Sequence, residues 1–232
     1  MKRVKSLVFN SLNFRPTDKK IGSEDIANVI TSRKYTEETG FGFSHVEVSE
    51  NILTAKILKR TPTYIQDYNI ESQEIVRKQI FLFSDIQFSI DFNYYILYVV
   101  GGVSQLNYIK SILKNILEVE YESQPIDINA SKFYQILVEK HIPSSIEQIT
   151  INKFNYNNGF VGRFAGQVTL QSVGAELVSE YRNDIIKISF KIEVEGEEDL
   201  LIQVFQNGSI KLLVEESDFE FFISFIKTII FS

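Results

Sequence analysis

The chain has no cysteine and no tryptophan, a single methionine, four prolines and only two histidines in 232 residues. Without cysteine there is no disulfide, no thiolate nucleophile and no thiolate metal site, which fits a reducing, cytoplasmic setting. His45 and His141 stand far apart and in no spacing that suits a metal centre or an acid–base pair. His45 is expected on a strand edge, and His141 near a helix C-terminus, where partial positive charge is favoured. No P-loop, no GxGxxG opening a helix and no nucleophile elbow is present. The acidic stretch EVEGEEDL (193–200) lacks the ligand spacing of a calcium loop and reads as a solvated hairpin. These absences lead us to expect no enzyme activity, no cofactor and no metal. Carboxylates gathered from distant strands, as in a hydrolase or nuclease, remain a third alternative. No apolar run reaches the roughly 18 residues of a membrane span. The opening MKRVKSLVFNSLNF is too interrupted by polar residues for a secretory signal and reads as a strand. The C-terminal FFISFIKTIIFS is short, carries Lys227 and reads as a buried helix, so no membrane partner is expected. A net charge of -6 excludes a uniformly basic coat but leaves room for a local basic face.

What the chain does have is a second half that repeats its first. DIQFSIDFNYYILYVV (85–100) aligns without a gap on DLLIQVFQNGSIKLLV (199–214). Each then enters a matching segment, SQLNYIKSILKNIL from Ser104 and SDFEFFISFIKTII from Ser217. Within it Ser111 and Lys114 fall on Ser224 and Lys227. Upstream, SKFYQILV from Ser131 pairs with SEDIANVI from Ser23. A period of about 110 residues is far longer than a solenoid repeat and marks a duplicated, domain-sized unit. We expect a first repeat over residues 1–118 and a second over 119–232. With 44% hydrophobic and 23% charged residues, the chain can bury a core in each.

Hydrophobic periodicity assigns both repeats the same order of elements. Alternation predicts a strand over 4–9, and the polar stretch at 16–20 a loop. Ser23 is a candidate N-cap for a helix to about 33, with Ile26, Val29 and Ile30 facing inward. Strands are predicted at 45–48, 52–60, 74–83, 86–90 and 94–100, with turns at 49–51 and 91–93. Ser104 caps a helix to about 117. In the second repeat a helix is predicted over 131–141. Strands follow at 146–154, 160–170, 185–194, 200–205 and 209–214. Asn157-Asn158-Gly159 and Asn207-Gly208 are tight-turn signals, because Asn and Gly tolerate positive φ. Ser217-Asp-Phe-Glu220 reads as a capping box opening the last helix, and 171–182 as an ambiguous stretch that a short helix would fit. The expected fold is α+β: two tandem β-α-β-meander-α units whose strands form one curved antiparallel sheet with helices on one face.

IDFNYYILYVVGGVSQ (90–105) and LLIQVFQNGSIKLLVEES (200–217) each look like a last hairpin followed by a capped helix. In this, and in the order of elements over most of the chain, the sequence resembles the TATA-box-binding-protein family. The resemblance implies a saddle with helices on the convex side, and a concave sheet that drives pairs of phenylalanines into a bent minor groove. Phe205, just before the Asn207-Gly208 turn, falls where one such wedge belongs. Its counterpart in the first repeat is Asp91, with Phe92 adjacent, and Glu215-Glu216 stands where the first repeat has Gly101-Gly102. The sequence thus departs from the family at both wedge and turn.

Strand parity gives an independent reading of the sheet's outer face. In 185–194 the even positions are apolar and the odd ones include Lys187, Ser189 and Lys191. In 160–170 the odd positions include Arg163, Gln167 and Thr169; further on, Gln203, Phe205 and Lys211 point outward. In the first repeat Thr54, Lys56 and Arg60 share the parity opposite Leu53, Ala55 and Ile57. The acids lie elsewhere, at 195–199 and at Glu118, Glu120 and Glu122. Such a face suits duplex DNA: Lys56, Arg60, Arg163, Lys187, Lys191 and Lys211 on phosphates, Gln167, Thr169 and Gln203 nearer the bases, Phe205 as a wedge. Alternating lysines are also the ordinary solvated face of a half-buried sheet. The alternative expectation is therefore a structural or adaptor protein whose sheet or last helix binds another protein, itself included as a homo-oligomer.

Overall fold

The computed structural model describes residues 2–15, 21–117, 120–157 and 159–232. The loop expected at 16–20, Glu118 and Asn158 of the expected turn lie outside the described residues. The chain is α+β, with eleven strands and five helices among the described residues. In chain order these are β1 (Arg3–Phe14), α1 (Ser23–Thr31), β2 (Phe41–Ser49), β3 (Ile52–Asn69), β4 (Glu74–Asp91), β5 (Ile96–Val100) and α2 (Val103–Ile116). Then come β6 (Tyr121–Pro125), α3 (Ala130–Glu139), β7 (Ser144–Asn157), β8 (Phe160–Gln167), α4 (Gln171–Glu180), β9 (Ile185–Ile192), β10 (Leu200–Phe205), β11 (Ile210–Val214) and α5 (Phe219–Phe231). The registered strand pairs are antiparallel. No helix among the described residues is long and apolar enough to cross a membrane.

The chain divides into two compact units. The first comprises residues 1–10, 101–103 and 124–232, the second 11–100 and 104–123. In the first unit the strand order is β1-β11-β10-β9-β7-β8. Alternation builds its core: Ile188, Phe190 and Ile192 of β9 lie beside Ile202 and Val204 of β10, all buried. Phe133 of α3 is wholly buried, with its ring 5.6 Å from Phe190. Phe9 meets Phe231 of α5 edge-on at 6.0 Å. Each fully buried aliphatic or aromatic side chain here contributes about 1.5–3 kcal/mol of transfer free energy. In the second unit the order is β2-β3-β4-β5. Leu53, Ala55 and Ile57 alternate inward, and Phe88 packs at 6.1 Å from Phe43.

Local chemistry sets the turns. Glu50 and Asn51 both take positive φ, the geometry that closes a two-residue hairpin between β2 and β3. Gly208 closes β10–β11 at φ +78°, and a Cβ there would stand 2.7 Å from the Ile128 carbonyl, so glycine is demanded twice. Gly42 runs so close to Tyr35 that a Cβ would fall 1.9 Å from its backbone nitrogen.

Several boundaries differ from the sequence reading. Ser23 is the first helical residue and is buried; the cap is Gly22, whose N–H donates to Asp25 Oδ2 at 3.0 Å. The helix expected over 131–141 is α3, capped by Asn129, which accepts from the Lys132 N–H at 3.0 Å. Ser131 donates to the Arg182 carbonyl at 2.9 Å. At α5 the cap is Asp218, and Ser217 Oγ donates to its carboxylate, so the capping-box bonds do not form. The ambiguous 171–182 stretch is α4. β9 bulges beside β7, so that Ile185 rather than Ile186 reaches the core. The largest difference is the β3–β4 hairpin. Where short strands at 52–60, 74–83 and 86–90 were expected, two 18-residue strands pair without a register shift from Ile52↔Asp91 to Asn69↔Glu74.

Candidate functional site

Residues directly opposed in antiparallel strands share a face, so the register of the first unit fixes what its sheet presents opposite Phe190. One row crosses six strands without interruption: Gln167, Gln148, Ser189, Gln203, Lys211 and Ser6. At about 4.8 Å between strands it extends about 24 Å. Every member is polar. Gln148 joins the row because β7 bulges at Glu147, between the pairs Ile146↔Phe190 and Gln148↔Ser189. Without that extra residue Gln148 would fall on the core parity.

The row to one side holds Ser145, Lys191, Leu201, Leu213 and Val4. The row to the other holds Ala165, Thr150, Lys187 and Phe205. Lys211 Nζ lies 5.2 Å from the centroid of the Phe205 ring, a cation–π contact that holds the ring beside the polar row.

The polar row floors an open groove of about 540 Å³, walled on one side by Val4, Leu201 and Leu213 and bordered by Glu147 and Thr169. At its centre Ser189 is 9% exposed, and its Oγ has no hydrogen-bond partner among the described residues. A buried hydroxyl left unsatisfied costs about 1–3 kcal/mol, so a ligand atom that meets it recovers that cost on binding. The flanking glutamines each carry an acceptor oxygen and two donor hydrogens, so the row can engage donors and acceptors alike.

The residues anticipated from sequence divide as follows. Gln167, Thr169, Gln203 and Lys211 come together around the groove. Thr169 does so from the connection before α4, since β8 ends at Gln167 rather than continuing to 170. Lys187 and Phe205 sit one row away, directly opposed. Arg163 lies in β8 opposite the irregularity between Ile151 and Phe154 of β7, away from the groove lining. Lys191 faces the same side, but its Nζ is 2.7 Å from Asp199 Oδ2. Hydrogen bonding to that carboxylate, together with its charge, holds Lys191 above the ordinary lysine range. Lys191 is therefore locally neutralised. Lys56 and Arg60 belong to the second unit. Arg60 donates to the Glu37 carbonyl at 2.7 Å and stacks 4.3 Å from Phe81.

Gln148, Ser189, Leu201, Leu213 and Val4 were not anticipated as site residues. Ser189 carries the outward parity in the sequence, but nothing there marks it as buried. Among the described residues no group of three or more His, Asp or Glu is placed to hold a metal ion. No protein-family model matches the chain, and no curated protein matches it.

Proposed function

We propose that the chain is a non-enzymatic duplex-DNA-binding protein that presents the outer sheet face of its first unit to the duplex. The observation that carries this reading is the unbroken polar row, with three glutamines and an unsatisfied serine hydroxyl between a lysine and an apolar wall. Amide side chains suit the minor groove, whose edge offers acceptors on A·T pairs and an added donor on G·C. Arg163, Lys187 and Lys211 supply phosphate contacts, and Phe205 is the apolar wedge beside the row.

The same reading includes a tandem duplication of a unit like that of the TATA-box-binding-protein family. Its support is the order β1-α1-β2-β3-β4-β5-α2 against β6-α3-β7-β9-β10-β11-α5, with β8 and α4 inserted in the second copy. Hydrogen-bonded order runs β2-β3-β4-β5 in one unit and β7-β9-β10-β11 in the other. A cysteine-free DNA-binding chain fits a cytoplasmic site of action.

Fluorescence anisotropy with a labelled A·T-rich duplex tests the reading. Lys187→Glu with Lys211→Glu is expected to abolish binding while circular dichroism stays unchanged, and Ser189→Ala to weaken binding without loss of stability. Undiminished affinity in the double variant refutes the proposed face.

A further inference from the structure

In the second unit, β3 and β4 extend together well past their neighbours. β2 pairs with β3 only as far as Lys59, and β5 pairs with β4 only between Gln87 and Asp91. From Arg60↔Phe83 to Asn69↔Glu74 the two strands are a ribbon about 33 Å long with no third strand registered on either edge among the described residues. Two-stranded ribbons are marginal in water by themselves.

The face of this ribbon that continues the parity of Lys56 carries Tyr64, Tyr68, Phe81, Phe83 and Ile75. The four rings are between 47 and 57% exposed, and Ile75 is 70% exposed. At about 200 Å² per ring and about 100 Å² per aliphatic side chain, this face leaves about 500 Å² of apolar surface in water. A standard interface buries about 800 Å² per partner, a little over half of it apolar, so this one face meets that requirement. Arg60 and Arg77 lie on the same face, each about 4 Å from the centroid of a ring of its own ribbon (Phe81 and Tyr64). Tyrosine and arginine are the residues that concentrate binding energy at protein interfaces.

Charge along the ribbon identifies the partner. Residues 60–83 carry three acids and three bases, so the segment is neutral overall and does not call for a polyanion. The charges are separated lengthwise. Glu71 and Glu74 at the tip outnumber Arg77, while Lys56, Lys59 and Arg60 at the base outnumber Asp85; Asp67 and Lys78 between them pair with each other at 3.6 Å. A ribbon acidic at one end, basic at the other and aromatic between is self-complementary when two copies pack antiparallel about a twofold axis. Tip then meets base at both ends. We propose that the β3–β4 ribbon is a dimerisation arm, and that its partner is the same arm of a second copy of this chain.

Sedimentation velocity on the full chain between 1 and 100 µM, with about 0.15 M salt to suppress weak surface pairing, tests this. The wild type is expected at twice the 26.8 kDa chain mass. Tyr64→Ser with Phe81→Ser, Lys56→Glu with Arg60→Glu, and Glu71→Arg with Glu74→Arg are each expected to sediment as monomers with unchanged circular dichroism. An equimolar mixture of the Lys56→Glu, Arg60→Glu protein and the Glu71→Arg, Glu74→Arg protein is expected to recover the dimer, because opposite net charges then meet at both ends. A wild type that stays monomeric at 100 µM overturns the proposal, as do charge variants that dimerise alone. If the wild type is monomeric and Lys56→Glu with Arg60→Glu loses duplex affinity, the arm is a nucleic-acid contact and the dimer is refuted. None of these outcomes depends on the groove of the first unit, whose variants are scored by anisotropy.

Discussion

On the proposed function, Asp199→Asn is expected to tighten duplex-DNA binding, an outcome that follows from one ion pair. Lys191 faces the same side of the sheet as Lys187 and Lys211, yet its ammonium is 2.7 Å from the Asp199 carboxylate. A lysine so paired releases no counterion when it approaches a phosphate. Three cations of the first unit's site residues, Arg163, Lys187 and Lys211, remain for phosphate contacts. Neutralising Asp199 adds Lys191 as a fourth. Each released counterion changes log K by about 0.9 per tenfold change in salt, so at 0.1 M it is worth about eightfold in affinity relative to 1 M. Asp199→Asn should therefore tighten binding about eightfold at 0.1 M and steepen the salt dependence by about 0.9. Lys187→Ala should weaken binding about eightfold and flatten the slope by the same amount, while Lys191→Ala leaves both within a factor of about two. Both partners of the pair are exposed, and exposed ion pairs hold little of a fold's stability, so the variants stay folded. Anisotropy titrations at five salt concentrations measure all four proteins. If Lys191→Ala costs as much as Lys187→Ala, or Asp199→Asn changes nothing, the assignment of contacts is wrong.

Two further expectations concern stability. Gly208→Ala combines a left-handed backbone with a Cβ 2.7 Å from the Ile128 carbonyl, whereas Gly196→Ala, at φ +80° and with open space around it, has the backbone strain alone. Urea unfolding should show losses of about 2–4 kcal/mol for the first and about 1 kcal/mol for the second; equal losses would contradict the close approach. Burial pushes the Tyr121 phenol up to about 12, and its hydroxyl donates to the Lys110 carbonyl at 2.9 Å. The unfolded chain then ionises first, near pH 10, so the stability from this group is whole below that pH and falls as pH rises from 10 to about 12. Tyr121→Phe should remove that part of the decline, as read from urea midpoints on the alkaline side; an unaltered decline would show that Tyr121 is not its source.

Periodicity located most elements because it reports burial, and burial is what a sheet packed on helices imposes. The even positions from 188 to 192 and the apolar face of 23–30 were legible for that reason. Register was not. The polar row depends on which residue of β7 faces Ser189, and a bulge at Glu147 decides it, with no residue type that announces the bulge. Ser189 looked like any outward serine, since its burial comes from neighbouring strands. The long β3–β4 ribbon was hidden for the opposite reason. Its outer half is not half-buried, so it lacks a clean alternation, and the expected strands stopped at 60 and at 83. Lys191 counted as a phosphate contact on parity alone, because the Asp199 that neutralises it is eight positions along the chain and reaches it only through the β9–β10 pairing.

A salt series with wild-type protein and duplex DNA bears most directly on the outer face as a phosphate-binding surface. Three contacts predict a slope of log K against log salt of about -2.7, which is about 40-fold weaker binding at 200 mM than at 50 mM. A slope near zero, or no binding at 50 mM salt, contradicts it.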